Sequence, residues 1–469
     1  MAILANDSIG LASVWLGFYL QVFEGFGSSK RLLAWKVVKC VWRISQHKSK
    51  IATGLFMKTT ITLLLLGICA GLANAQTPPL DQKPEQAKSQ VEEGQIEEGQ
   101  VEEGQPRLAS SASVLDKHQW ERVDASVERA LAWLATKQQD DGSFESIALG
   151  QPAVTSFCVM AFLSQGESPS GGKYQQQLSK AIDFIVDQQK PNGLIATIAP
   201  PGSPIQRRPD TTLHQETGVT AVYNHTISAL ALCEAYGQCS PEQSKKIAPV
   251  IEKAIAATIE MQGWDNKRAK EDGGWRYLDK RHPEDSDLSI TGRQLMFLRS
   301  AKNTGFDVPE EIIDKAGGFV EACFNKRLGV HSYVVAYPKS VTRAMAGAGV
   351  LALAHSGKHS SKEAIASGEW ILKHDFSKYN EDKPTYNLGW QRDRYHYGMI
   401  LCTQAMYQLG GKYWKQFFPP LVETLLANQK DDGSWPPESW DKVYGNSYTT
   451  SLCILSLSVP NQMLPIFQR

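Results

Sequence analysis

Three short segments of this chain share one pattern: a glutamine, three residues, a glycine, one residue and a large apolar side chain. They are Gln138…Gly142-Ser143-Phe144, Gln189…Gly193-Leu194-Ile195 and Gln429…Gly433-Ser434-Trp435. Two weaker copies lie between them, Gly273-Gly274-Trp275 without a glutamine and Asn325…Gly329-Val330-His331. The five glycines stand 51, 80, 56 and 104 residues apart. The unit is therefore about 52 residues long, with an insertion in one interval and a degenerate copy in another. A second series, Gly166, Gly237, Gly305, Gly357 and Gly410, closes apolar stretches where a helix would end, and its last two intervals are 52 and 53 residues.

Each unit reads as two helices joined through a polar turn. The first helix has apolar residues at helical spacing, as in Val127, Leu131 and Leu134, or Ile182, Ile185 and Val186. The second is apolar nearly all round, which suits an inner position. Second helices are expected at 155–163, 226–236, 289–300, 341–355, 397–409 and 448–457. Six such hairpins predict an all-α protein, an (α/α)6 toroid over residues 119–469 with six parallel inner helices inside six outer ones.

The segment before it is different. Met57-Lys58, the apolar run Ile61 to Leu72 and Ala73-Asn74-Ala75 supply the charged start, hydrophobic stretch and cleavage site of a signal peptide, 57–75. The run is shorter than the roughly 20 apolar residues a membrane span needs. Residues 1–56 form an N-terminal extension, and the start expected for the exported protein is Met57, with maturation near Gln76. Residues 76–118 carry Val91-Glu92-Glu93-Gly94-Gln95 and two near-copies, the composition of a flexible acidic linker. The expected location is the periplasm or cell envelope. In the whole chain 49 Lys and Arg balance 49 Asp and Glu, which excludes a strongly basic nucleic-acid binder. Eight cysteines without a CxxC pair exclude a disulfide scaffold, although Cys233 and Cys239 are near enough in sequence to bridge.

Parallel inner helices place all their N-termini at one mouth. The residues gathered there include His225, Asp285, Asp287, Arg343, Tyr395, His396, Tyr397 and Tyr448, with Trp275 and Tyr277 from a turn. An insertion, Ile198 to Thr220, is expected to form a flap over that opening.

The Gln-x-x-x-Gly-x-Trp element at a spacing near 50 resembles the repeat of squalene-hopene cyclases and of protein prenyltransferase β-subunits, over about residues 120–469. Asp285-Ser286-Asp287-Leu288-Ser289 resembles the Asp-x-Asp-Asp-Thr motif of class II terpene cyclases. The resemblance implies Asp287 as a proton donor to an alkene and Asp285 as its partner, the chemistry of an isomerase. Leu288 stands where that motif has its third Asp, and Asp287 also suits the N-cap of the helix that follows. Asp393-Arg394-Tyr395-His396 resembles the segment that carries the zinc histidine of prenyltransferases, but Asp287 occupies the place of the cysteine ligand. Neither a metal nor a cofactor is expected.

The expected function is binding of an apolar, isoprenoid-like small molecule in the central cavity. Trp275, Tyr277, His225, Arg343, Tyr395, His396, Tyr397 and Tyr448 are the candidate ligand-binding residues, and acid-initiated cyclisation by Asp285 and Asp287 is a further step. Two alternatives remain open. One is a non-catalytic scaffold for an envelope protein, with peripheral membrane contact. The other is a toroid polysaccharide lyase or glycosidase that uses acidic residues, Arg343, Arg392 and aromatic platforms.

Overall fold

The computed structural model describes residues 113–205, 212–264, 268–278, 285–381 and 393–468, with side chains from 217 onward in the second of these stretches. The extension, signal peptide, most of the linker, Arg207, Arg208 and Arg392 lie outside the described residues.

Twelve α-helices among the described residues alternate between an outer and an inner layer. The outer helices are α1 (Lys117–Ala135), α3 (Gln175–Asp187), α5 (Pro241–Gln262), α7 (Glu310–Ala322), α9 (Lys362–Leu372) and α11 (Gly411–Asn428). The inner ones are α2 (Ala153–Leu163), α4 (Thr212–Tyr236), α6 (Leu288–Asn303), α8 (Arg343–His355), α10 (Tyr395–Leu409) and α12 (Asn446–Ser458). Outer helices are amphipathic. In α3 the buried residues are Leu178, Ala181, Ile182 and Ile185, one face at helical spacing. Inner helices are enclosed on every side, and all residues of α2 are buried. Short polar side chains start several of them: Asp116 and Gln119 form a capping box on α1, and Ser240, Thr342 and Ser361 cap α5, α8 and α9.

Each inner helix packs on the next, and α12 returns to α2, so the ring is closed. Paired contacts whose sequence offset changes little along each helix pair show that neighbours run the same way. Ala153 N–H meets Asn224 and Ser156 meets Ser228 across α2 and α4. Tyr223 meets Ser289 and Glu234 meets Ser300 across α4 and α6. Across the seam, the Cys158 thiol meets the Ser447 carbonyl and Gln165 meets Ser458. The outer layer closes as well, through Arg122 forked on Glu423 at 3.0 and 3.1 Å.

The repeated motif performs this closure. The amide of Gln138 donates to the Gly142 carbonyl of its own turn and to Gln177 on the next outer helix, at 3.0 and 2.8 Å. Gln189 links to Gly193 and Val250 in the same way, and Gln429 to Gly433 and Ser126, joining α11 to α1. The third copy, expected to lack its glutamine, has one. Gln262 bonds the carbonyls of Gly273 and Ile312 at 2.8 and 2.9 Å from eleven residues upstream. A longer loop separates the two, so fixed spacing concealed it.

Gly193 shows why the turn needs glycine. Its φ is +87°, and a Cβ there would stand 2.4 Å from the Lys253 carbonyl oxygen. In the degenerate copy after α9 a different residue takes over. Arg343 spans Asp393, the Asp375 carbonyl and the Glu381 carbonyl, fastening residues 375–381 to the ring.

Several boundaries differ from expectation. Thr212–Thr220 belongs to α4, so the last nine residues of the expected flap are a helical extension. Level with Ala153 at Asn224, α4 rises about 18 Å beyond the start of α2 at 1.5 Å per residue. Gly166, Gly305, Gly357 and Gly410 have positive φ, whereas Gly237 does not. Cys233 and Cys239 are free thiols.

Candidate functional site

Helix α6 begins at the mouth with Asp287 as its N-cap. Asp287 Oδ1 accepts from the Ile290 N–H at 2.9 Å and from the Ser289 hydroxyl at 2.6 Å, and Oδ2 accepts from Arg276 Nη1 at 2.9 Å. Asp287 has no exposed surface, and Arg276 is almost as deeply enclosed. The Arg276 guanidinium also lies against the faces of Tyr277 and Tyr333, whose hydroxyls meet. The Asp285 N–H is tied to Glu271. Of the two aspartates the resemblance paired as an acid, Asp287 is thus a helix cap and half of a buried ion pair, an arrangement that suits a fixed charge. Breaking such a pair by removing one partner costs about 3–5 kcal/mol.

One turn further into α6, Arg293 occupies the axis of the ring. Its guanidinium stands 5.7 Å from the ring centre of Phe157 on α2 and 5.4 Å from that of Tyr397 on α10. Helices α2, α6 and α10 are alternate members of the inner ring, so three side chains from thirds of the circle meet at its centre. Arg293 is 3% exposed. Its Nη1 lies 3.9 Å from the Met296 sulfur, while Nε and Nη2 are buried and make no hydrogen bond of good geometry, nor does the Tyr397 hydroxyl, which lies beside Arg293 and Tyr223. Among the described residues no carboxylate pairs with it.

Around the two arginines stand Tyr223, Tyr277, Tyr333, Tyr397 and Tyr448, all half-buried. Burial pushes the phenols of Tyr223, Tyr277, Tyr333 and Tyr448 well above the usual tyrosine range and raises Tyr397 too. They remain hydroxyls over the ordinary pH range. The site is therefore a cationic point ringed by aromatic faces and neutral hydrogen-bonding groups.

Four of the sequence candidates are engaged in contacts within the fold. Trp275 is fully buried, its indole N–H on the Thr258 carbonyl. The His225 Nδ1 accepts the Ile195 N–H at 3.2 Å and its Nε2 meets the Thr258 hydroxyl at 3.0 Å. In three other units a threonine takes the same backbone N–H: Thr155 from Phe144, Thr291 from Trp275 and Thr450 from Trp435. His225 is the histidine version of that position, and burial lowers its pKa to about 4. Arg343 is spent on the degenerate unit, and Tyr395 is buried with its hydroxyl on the Phe376 carbonyl. Tyr277, Tyr397 and Tyr448 are the candidates brought near the arginines.

His396 joins a second cluster at the rim. Ligand atoms of His396, Glu438 and Asp441 lie within 4.8 Å of one another, all three residues being buried. Glu438 Oε2 accepts the Tyr395 N–H, and Asp441 pairs with Arg394. Burial, with the neighbouring Asp441 carboxyl adding to it, pushes Glu438 up to about 9, and burial lowers His396 to about 4. Arg293, Glu438 and Asp441 were not read from the sequence. Arg293 had a signal, a cation within the enclosed stretch 288–298 of α6, whose other cations, Arg299 and Lys302, lie toward its far end. Glu438 and Asp441 lie in a loop with no period.

No protein-family model and no curated protein matches the sequence. Solved structures do resemble it. The type II terpene cyclase MstE from Scytonema, bound to geranylgeranyl dihydroxybenzoate, is 12% identical with a TM-score of 0.48, over 74% of this chain and 99% of that one. A glycosidase is 10% identical with a TM-score of 0.48, over 75% and 100%. An alpha-amylase from Clostridium perfringens is 11% identical with a TM-score of 0.44, over 71% and 97%. The likeness is one of toroid fold alone.

Proposed function

We propose that this protein binds a small molecule with an apolar, isoprenoid-type body and an anionic end, the anion meeting Arg293 on the ring axis. The observation that carries this reading is the buried guanidinium with two unpartnered donors. Leaving such donors unsatisfied costs roughly 1–3 kcal/mol each, and more for charged groups. A carboxylate or phosphate would satisfy both at once in the forked geometry guanidinium groups favour. Phe157, Tyr223, Tyr397 and Tyr448 would flank the apolar body. Proton donation by Asp287 is not carried into this reading, because both of its oxygens already accept hydrogen bonds. Neither the scaffold nor the glycan alternative has an observation of comparable weight behind it. The signal-peptide pattern read at 57–75 supports the periplasm or cell envelope as the location in this proposal.

The test compares geranylgeranyl diphosphate with the neutral geranylgeraniol by calorimetry. The diphosphate is expected to bind about tenfold or more tightly, the worth of one charge-assisted contact. Arg293→Met is expected to erase the difference while leaving the alcohol's binding in place. Equal binding of both ligands to the unaltered protein, or binding of neither, would overturn the reading.

A further inference from the structure

The rim cluster has three buried atoms that no hydrogen-bond donor of the chain reaches while both carboxyls are ionised, the alternative occupant being a proton shared between Glu438 and Asp441. They are His396 Nδ1, Glu438 Oε1 and Asp441 Oδ2, all buried. Each residue's other ligand atom is engaged: His396 Nε2 with the Tyr379 hydroxyl at 3.0 Å, Glu438 Oε2 with the Tyr395 N–H at 2.8 Å, and Asp441 Oδ1 with Arg394. The unsatisfied atoms are thus one per residue, in the one group of side chains among the described residues that offers three ligand atoms within 4.8 Å of one another.

The hydrogen bonds also fix the histidine's tautomer. Tyr379 has a single hydroxyl proton, and it goes to the Pro436 carbonyl at 2.8 Å. Toward His396 the phenol oxygen can only accept, so the imidazole carries its proton on Nε2. Nδ1 is then a bare lone pair on a ring that shares its cluster with two carboxyl groups. A metal-binding histidine is oriented in this way, its far N–H given to an outer group while the near nitrogen stays free. We propose that His396, Glu438 and Asp441 bind one divalent transition-metal ion, zinc or manganese, through Nδ1, Oε1 and Oδ2.

The donor set decides the metal class. One neutral imidazole and two carboxylates suit a borderline cation, whereas calcium favours six to eight oxygens. Charge supports the same conclusion. Burial makes two adjacent carboxylates costly without a compensating cation. Arg394 makes its direct ion pair with Asp441, leaving one positive charge beside two carboxyl groups. The cluster draws on α10 and the loop before α12, and it includes neither Asp285 nor Asp287. It also stands apart from the Arg293 reading, since one site takes a cation and the other an anion.

The test is calorimetry of the chelator-stripped full chain with zinc chloride, manganese chloride and calcium chloride. Zinc is expected to bind at about one equivalent and more tightly than calcium, in the order common to nitrogen-containing sites. Glu438→Gln combined with Asp441→Asn is expected to lose the bound equivalent. Tyr379→Phe keeps all three ligands and is expected to weaken zinc about 10- to 100-fold, the usual effect of an outer partner. Anomalous scattering from zinc-soaked crystals of the unaltered protein gives a readout independent of whether the variants fold, with a peak expected among the three atoms. A peak only at exposed histidines such as His359, no stoichiometric binding, or zinc affinity unchanged in the double variant would each overturn the proposal.

Discussion

His225 illustrates how one side chain takes on a role that the sequence assigns to another. Three units use threonine to accept the N–H of the motif's large apolar residue, and this unit uses an imidazole that also reaches Thr258. The exchange makes the position sensitive to acid. Burial holds the folded pKa near 4, against about 6.5 in an unfolded chain. The group therefore contributes stability that is present above pH 6.5 and lost as pH falls through 4. His225→Thr restores the acceptor of the other units. Urea unfolding is expected to show it less stable at pH 7, by about 1–2 kcal/mol for lost contacts. Its stability should then fall less between pH 6.5 and 4, by up to roughly 3 kcal/mol, and an unchanged acid slope would contradict the argument. At this scale the sequence was only partly legible. Asp287 could be read as a cap because capping is local. His225, Trp275 and Arg343 could be placed at the mouth but not distinguished from ligand-binding groups, because their partners lie on other elements. The Glu438 and Asp441 pair becomes visible only when the loop before α12 folds against α10.

At the scale of elements, period carried the information. Helical hairpins, their order and the inner or outer character of each helix follow from where apolar residues recur. What stayed hidden was length: α4 extends to Thr212, and Gln262 reaches its turn across a longer loop. Both depend on an insertion that breaks the repeat's spacing without breaking its contacts. The turns themselves are not equivalent. Gly193 has a positive φ and lies against the Lys253 carbonyl, whereas Gly329, with φ +66°, has nothing nearer to a built Cβ than 3.9 Å. Gly329→Ala is expected to cost about 1–2 kcal/mol, the left-handed penalty alone. Gly193→Ala must also push two outer helices apart, and is expected to cost at least about 1–3 kcal/mol more. Thermal unfolding of the two variants side by side checks the ranking, and equal losses would show that the close approach contributes little.

The toroid, taken whole, is a closed ring with a fastening at the end away from the mouth. Glu234, buried on α4, accepts from the Ser300 hydroxyl on α6 and from the Ile466 N–H of the C-terminal segment. Burial raises its pKa to about 7, above an unfolded value near 4.3. Its contribution is fully present below the unfolded pKa and is lost as pH rises through 7. Glu234→Gln keeps an acceptor without the charge. Relative to the unaltered protein it is expected to gain stability between pH 5 and pH 8, by up to roughly 3 kcal/mol, as read from urea midpoints at the two pH values. A difference that does not change with pH would exclude Glu234 as the source.

The seam between Ser126 and Gln429, and between Phe157 and Tyr448, unites the two ends of the toroid's amino-acid order. Contacts so distant along the polymer are slow to find each other and form late. During synthesis the first outer helix must wait, its flank exposed, until the final hairpin has left the ribosome. A nascent copy cut short by even one repeat has no partner for that flank and is open to mispairing with a neighbouring chain.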